Sequence, residues 1–281
     1  MRILNLGAGV QSTALFLMIL DGDLPPVDFA IFADTGDEPK VVYDHLAMLE
    51  TLGGPEVVKV SRGNLGDNLV NGVNSTGQRH VSIPTHLSMK DDGLRTALGR
   101  RQCTSEYKLI PIEQGIRQRL GLAKGERMPK TTRITQVFGL SFDEPKRVAR
   151  VQGSFDLRNE CWSCEFPLFE DRMTREDCVV YLKKRLPDYH VPRSACVFCP
   201  FKRDSEWIDL KTNDPQGWAR AVEIDTAIRK ETSRCTVGMN SAQYLHSSCP
   251  PLELVQFKPD PPDLQKRFAW SQMDCEGMCG V

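Results

Sequence analysis

Short apolar runs alternate with amphipathic stretches along the first two thirds of the chain. Residues 3–6 are an apolar run, residues 7–12 carry glycine and polar side chains that predict a turn, and residues 13–20 read as a helix apolar on most faces. A second run at 27–33, rich in β-branched and aromatic residues, precedes a helical pattern at 43–52, and 57–60 reads as a third strand. Helical spacing returns at 109–120, and 134–140 reads as another buried strand leading into Ser141-Phe142-Asp143-Glu144. Thr174, with Asp177 three residues on, predicts the N-cap of a helix reaching residue 186. Short apolar strands alternating with helices predict an α/β fold, a doubly wound parallel sheet covered on both faces.

The pattern loosens in two places. Residues 61–99 gather Gly, Asn, Ser and His without a period, which predicts long loops beside a site. After Pro187 and Pro192 the chain turns to Cys196-Val197-Phe198-Cys199-Pro200, then to two tryptophan-bearing helical stretches at 205–210 and 218–230, with Trp207 and Trp218 read as core. A proline-rich tail closes on Cys275-Glu276-Gly277-Met278-Cys279. This divides the chain into a first domain over 1–190 and a helical, cysteine-bearing region over 191–281.

Composition narrows the class. A net charge of −1 with 26% charged residues excludes a globally basic nucleic-acid binder. No apolar run is long enough to span a bilayer, and the start reads as strand and loop rather than a signal peptide, so the expected setting is cytoplasmic and reducing. The 10 cysteines are then expected to bind metal or react rather than pair.

Three strand ends carry candidate chemistry. Gly7-Ala8-Gly9 lies between a strand and a helix, where small residues let phosphate oxygens reach backbone N–H groups and the helix dipole. Gln11, Ser12 and Thr13 would add side-chain donors. Asp34-Thr35-Gly36 ends the second strand at the edge where open α/β sheets bind ligands, so Asp34 is a candidate for Mg²⁺ or a ribose hydroxyl, against an ordinary Asp-Thr-Gly turn. Asp143 and Glu144 are candidate metal-binding carboxylates, and Arg147 a bidentate phosphate reader.

These stretches, with Cys103-Thr104-Ser105-Glu106-Tyr107-Lys108 between them, stand in the order seen in one superfamily. Over about residues 1–200 and again at the tail, the chain resembles the phosphoadenosine-phosphosulfate reductase and PP-loop ATP-pyrophosphatase superfamily, whose fold is of the adenine nucleotide alpha-hydrolase type. Against the PP-loop motif SGGxDS the chain reads Gly7-Ala8-Gly9-Val10-Gln11-Ser12, with glycine for the first serine and Gln11 for the aspartate, and Gln11 is closer to the reductase version, SxGxQ. The resemblance implies ATP or a sulfonucleotide with Mg²⁺, Lys108 and Asp34 at the site, and Arg101 beside them. Cys279-Gly280 matches the start of the reductases' C-terminal ECG(I/L)H motif, whose cysteine is the nucleophile, although the sequence stops at Val281.

The cysteines leave a choice. Cys103, Cys196 and Cys199, with Cys275 as a fourth ligand, would hold the [4Fe–4S] cluster that the resemblance implies. Cys161 and Cys164 form a second CxxC that with Cys196 and Cys199 would make a zinc site. Cys178, Cys235 and Cys249 read as structural. Between Arg95 and Arg133 basic residues outnumber acidic ones, a stretch fit for an anionic substrate or a nucleic-acid backbone, or a solvated helical face. His80 and His86 sit in the predicted site loop without a pattern that assigns catalysis.

Three functions are then expected to compete. An ATP-splitting enzyme would activate a nucleobase or nucleic acid for sulfur transfer, as DNA-phosphorothioation enzymes do, with a sulfur donor as partner. A sulfonucleotide reductase would use Cys279 as nucleophile and a thioredoxin-like reductant. A metalloprotein that binds nucleotide without turnover is the third.

Overall fold

The computed structural model describes residues 1–79, 82–88, 96–230 and 241–259. The opening apolar run forms β1 (Arg2–Asn5), and helix α1 (Val10–Asp21) begins at Val10 rather than Thr13 because Gly9 is its N-cap. β2 (Phe29–Asp34), α2 (Lys40–Thr51) and β3 (Val57–Ser61) follow as the hydrophobic pattern predicts, with ends shifted by a few residues. Next come α3 (Leu65–Val70) and two short strands, β4 (His86–Ser88) and β5 (Thr96–Leu98). A π-helical turn at Ser105–Leu109 runs into α4 (Ile110–Arg119), followed by β6 (Ile134–Phe138), α5 (Pro145–Asp156) and β7 (Trp162–Glu165). A single turn, α6 (Pro167–Glu170), precedes α7 (Arg175–Arg185), α8 (Asp204–Asn213), α9 (Pro215–Ala227) and β8 (Gln243–Tyr244).

Five strands make an all-parallel sheet in the order β3-β2-β1-β6-β7, so the chain winds outward one way from β1 and then returns to wind the other way from β6. Alternation along the strands divides the core. Leu4, Leu6, Phe32 and Val137 pack with α1, α2 and α7 on one face. Ile3, Ile31, Ala33 and Ile134 meet Ile112 and Ile116 of α4 on the other, where Phe138 also packs on Phe155 of α5. A Cβ at Gly115 would come within 2.5 Å of Val60 Cγ1, so glycine there lets α4 lie directly on β3. This is a doubly wound α/β arrangement, with its reversal between β1 and β6.

Residues 61–99 depart from the expected loops. Asn64 caps α3 by accepting from the Asp67 amide, and β4 joins β5 and β8 in a small antiparallel sheet, order β5-β4-β8. Strands this short carry no legible alternation. The pattern also misses α5, which buries only Val151 and Phe155, and the short edge strand β7. The predicted cap at Thr174 forms, its hydroxyl accepting from the Asp177 amide. Beyond residue 190, Trp207, Trp218 and Phe257 stack into a core that also takes in Val197 and Phe198 of the CxxC loop. Among the described residues no helix is long and apolar enough to cross a membrane.

Candidate functional site

The loops that leave β1 and β6 diverge at the reversal point, which opens a crevice at the carboxyl edge of the sheet. Ala8, between Gly7 and Gly9, has φ +57°, a left-handed conformation that costs an L-residue on the order of 1 kcal/mol. It turns the chain sharply enough for α1 to start at the strand end. No side chain caps α1, and its first intrahelical bond runs from the Thr13 amide to the Gly9 carbonyl. The amides of the preceding residues therefore have no helical acceptor and face the turn, at the positive end of the dipole.

The side-chain donors expected of this segment are engaged inside the protein. Gln11 donates through Nε2 to Ser141 Oγ at 2.7 Å and also to Glu144. Ser12 Oγ closes on the Gly9 backbone at 3.3 Å, and Thr13 Oγ1 meets His45 Nε2 at 2.9 Å. All three residues are buried, since α1 lies under the sheet's other helices. What the turn offers an anion is backbone. Glu144, read above as a metal ligand, also binds the Ser141 hydroxyl and pairs with Arg147, the expected phosphate reader. Asp143 accepts from the Arg175 amide at 3.1 Å, and the Arg175 guanidinium reaches Gln11 Oε1 at 3.5 Å. These contacts tie the β6 loop and α7 to α1. Arg175 went unnoticed in the sequence because it lies far from any motif.

Asp34 closes a turn through one of its oxygens. Its Oδ1 accepts from the Gly36 amide at 2.8 Å and the Tyr43 hydroxyl at 2.9 Å, an Asx turn that spends that oxygen on local structure. Burial, and the neighbouring Asp34 carboxylate, push the Tyr43 phenol above its usual range, so it stays a donor. Thr35 is buried and contacts both Glu38 Oε1 at 3.4 Å and Cys196 Sγ at 3.1 Å.

Lys108 is the meeting point. The π-helical turn carries it inward, and its side chain is 5% exposed beside a fully buried Glu38, with Nζ to Oε1 at 3.5 Å. Ser194 Oγ donates to the other oxygen of Glu38 at 3.4 Å. Glu38 was not singled out in the sequence, although it ends the acidic turn after β2. Lys108 lines two cavities at once. One is a small cavity against Asn5, Gly7 and Ala33 at the glycine turn. The other is lined by Thr35, Arg101, Cys103, Cys196 and Cys199, with Ile83, Phe198 and Phe201 among its apolar walls.

Cys103, Cys196 and Cys199, grouped in the sequence, thus share one cavity. Burial, reinforced by Glu38, pushes the Cys196 thiol well above its usual range, so as a thiol it stays protonated. A cluster would be met there by soft sulfur donors in a largely apolar shell, which suits iron–sulfur chemistry. Among the described residues, however, no group of three or more His, Cys, Asp or Glu is arranged to hold a metal ion. Cys275 and Cys279 lie outside the described residues, as do His80, Arg95 and Cys235. The zinc set is not assembled. Cys164 is on β7, paired with Gln136, and its Sγ reaches Gln152, while Cys196 sits beyond the end of β2. Those strands are three interstrand steps apart, roughly 14 Å. Burial and nearby Asp156, Glu165 and Glu170 push the Cys164 thiol up to about 11, so it is inert at neutral pH. Cys178 is core, as expected. His86 hydrogen-bonds the Pro200 carbonyl at 3.3 Å on the cavity's rim.

The basic stretch does not make one face. Lys108 is buried and Arg101 lies over the Phe201 ring at the carboxyl edge, whereas Arg119 pairs with Glu56. The Arg133 carbonyl holds the N-terminal amine at the opposite, amino edge.

His45 sits behind the site, between Thr13 and the Tyr189 hydroxyl, each 2.9 Å away. Burial lowers its pKa from 6.5 to about 4, so the folded protein holds it neutral. Above pH 6.5 both folded and unfolded states are neutral and stability is full. As pH falls, the unfolded chain takes up a proton that the native state refuses. About 2 kcal/mol should be lost by pH 5 relative to pH 7.5. Urea unfolding of the protein and of His45→Gln at the two pH values checks this, because the variant should lack that part of the slope.

No protein-family model, no curated protein and no solved structure matches this chain.

Proposed function

We propose that the chain is an adenine-nucleotide-dependent enzyme of sulfur chemistry, of the kind found in the phosphoadenosine-phosphosulfate reductase and PP-loop ATP-pyrophosphatase superfamily. It splits ATP to AMP and pyrophosphate to activate a nucleobase or nucleic acid for sulfur transfer. The observation that carries this reading is Lys108, whose ammonium belongs to both the cavity at the Gly7 turn and the cavity of the three cysteines. A nucleotide-activation step and a sulfur-handling step then share one wall.

The backbone amides after Gly9 receive the pyrophosphate, as helix N-termini receive anions in general. An acceptor oxygen attacks the α-phosphorus, the bond to the bridging oxygen breaks, and pyrophosphate leaves. A sulfur nucleophile then attacks the acceptor carbon or phosphorus and AMP departs. Magnesium bound with the nucleotide supplies charge neutralisation on the leaving group. Of the candidate carboxylates Asp143 is the most exposed, although it accepts from the Arg175 amide as Glu144 and Asp34 accept from their own neighbours. Cys103, Cys196 and Cys199 would hold an iron–sulfur cluster, which when bound supplies a thiolate-ligated centre for sulfur or electrons.

The test is a product assay. Given ATP, Mg²⁺, a sulfide source and pooled RNA or DNA, the protein should release pyrophosphate and AMP in equal amounts. Sulfite released from phosphoadenosine phosphosulfate, with thioredoxin as reductant, would replace this reading with the reductase. Tight nucleotide binding without either product would leave a binding protein.

A further inference from the structure

A third opening lies on the sheet face that carries α4 and α5. α4 rests mainly on β2 and β3, and α5 on β7, and a cleft remains between them over Asn5 of β1 and Gln136 of β6. The gap has a volume of about 170 Å³. Its floor breaks the rule of the fold, since the inward positions of β1 and β6 there carry amides, Asn5 and Gln136, at 5% and 4% exposure.

Asn5 is incompletely satisfied. Its Nδ2 donates to the Val137 carbonyl at 3.4 Å, while its fully enclosed Oδ1 has no hydrogen-bond partner. Rotating the amide would only aim Oδ1 at that carbonyl. A buried acceptor of this kind is costly unless something brings it a donor. The cleft wall supplies planar surfaces. The Arg158 guanidinium lies over the Phe155 ring at 4.9 Å and over Trp162 at 5.1 Å, and pairs with Glu113 at 3.4 Å. With the Asn5 side chain turned to bring Oδ1 into the cleft it lines, the ligand needs an N–H edge for Asn5, polar atoms for Gln136 and Ser154, and a flat face for Phe155 and Arg158. A phosphate or carboxylate would meet Asn5 Oδ1 and Glu113 and be repelled. Side-chain amides pair with base edges through two points, and aromatic and guanidinium planes stack on bases.

We infer that the cleft between α4 and α5 receives the nucleobase of the acceptor, read by the Asn5 and Gln136 amides on its floor. This deepens the proposed function and rests on it for the acceptor's role. Asn5 and Ile112 line both this cleft and the cavity at the Gly7 turn, so the base sits next to the activated nucleotide. The base belongs either to a free nucleoside or to a nucleotide turned out of a strand.

Calorimetric titration of the full chain, with and without saturating α,β-methylene-ATP, tests this with each of the four nucleosides and with a mixed-sequence single-stranded 12-mer. At least one probe should bind, should still bind beside the analogue, and should be weakened at least about tenfold by Asn5→Leu and by Gln136→Leu. Binding of a nucleoside identifies a free acceptor, and binding of the oligomer alone identifies a base within a strand. Leucine at position 5 removes the orphaned acceptor, so the thermal midpoint of Asn5→Leu should equal or exceed that of the parent. The inference falls if no probe binds, if the analogue displaces the probe competitively, or if both variants bind as the parent does. An analogue that fails to bind while a nucleoside binds through these amides would sink the nucleotide reading and leave the base pocket standing.

Discussion

Lys108→Met should cost the protein about 3–5 kcal/mol of folding free energy, the loss expected when one partner of a buried ion pair is removed. The methionine matches the lysine in length, so little of the loss is cavity. Nearly all of it is the Glu38 carboxylate, fully buried and deprived of its ammonium partner, with the Thr35 and Ser194 hydroxyls still donating to it. Lys108→Met/Glu38→Gln should recover most of the loss, since a neutral amide can keep those hydroxyl contacts. Chemical denaturation of the four proteins gives the coupling energy directly. A single-variant loss below about 1 kcal/mol would place the pair in the class of solvent-screened surface bridges and show that water reaches Glu38. A full loss would mean that the junction of the two cavities is a dry, charged point held by the fold at a cost to stability.

That junction was only half legible in the sequence. The strands β1, β2, β3 and β6 were, because runs such as Ile3-Leu4 and Ala30-Ile31-Phe32 are buried on both faces and show it in composition. The position of the reversal, between β1 and β6, comes from the strand order of the sheet, which right-handed crossovers alone do not fix. Lys108 stood out only through the superfamily resemblance. Nothing local reveals that it turns inward, because the inward turn is π-helical and its partner, Glu38, belongs to a different strand end. Gln11 and Thr13 show the opposite failure. Polar residues beside a glycine turn read as ligand donors, yet their partners, Ser141, Glu144 and His45, come from distant segments. Asn5 and Gln136 did leave a trace, as polar residues at inward positions of apolar strands. That trace gains meaning only once the cleft between α4 and α5 is seen to end on them.

The cysteines set the second large effect. Protein purified without oxygen should be brown, with iron and sulfide at about four of each per chain, the content of a cubane on a four-cysteine site. Cys103→Ala, Cys196→Ala and Cys199→Ala should each abolish the colour, because these three side chains line the one cavity with apolar walls. Cys161→Ala and Cys164→Ala should keep it. Cys161 Sγ is turned toward the Pro129 carbonyl and Cys164 toward Gln152, at strand β7, three steps across the sheet from the end of β2. The tail then separates two roles. Cys275→Ala should lose iron along with the three, whereas Cys279→Ala should retain iron and lose turnover. A colourless protein with one zinc, released by Cys161→Ala or Cys164→Ala, would overturn this assignment. It would require β7 and the CxxC loop to come together, at the expense of the pairing of β7 with β6. Iron that survives every single cysteine change would place the ligands elsewhere and reduce the cavity to a hydrophobic pocket. Loss confined to Cys103, Cys196, Cys199 and Cys275 would put the cluster across Lys108 from the nucleotide turn, and so join the two halves of the proposed reaction.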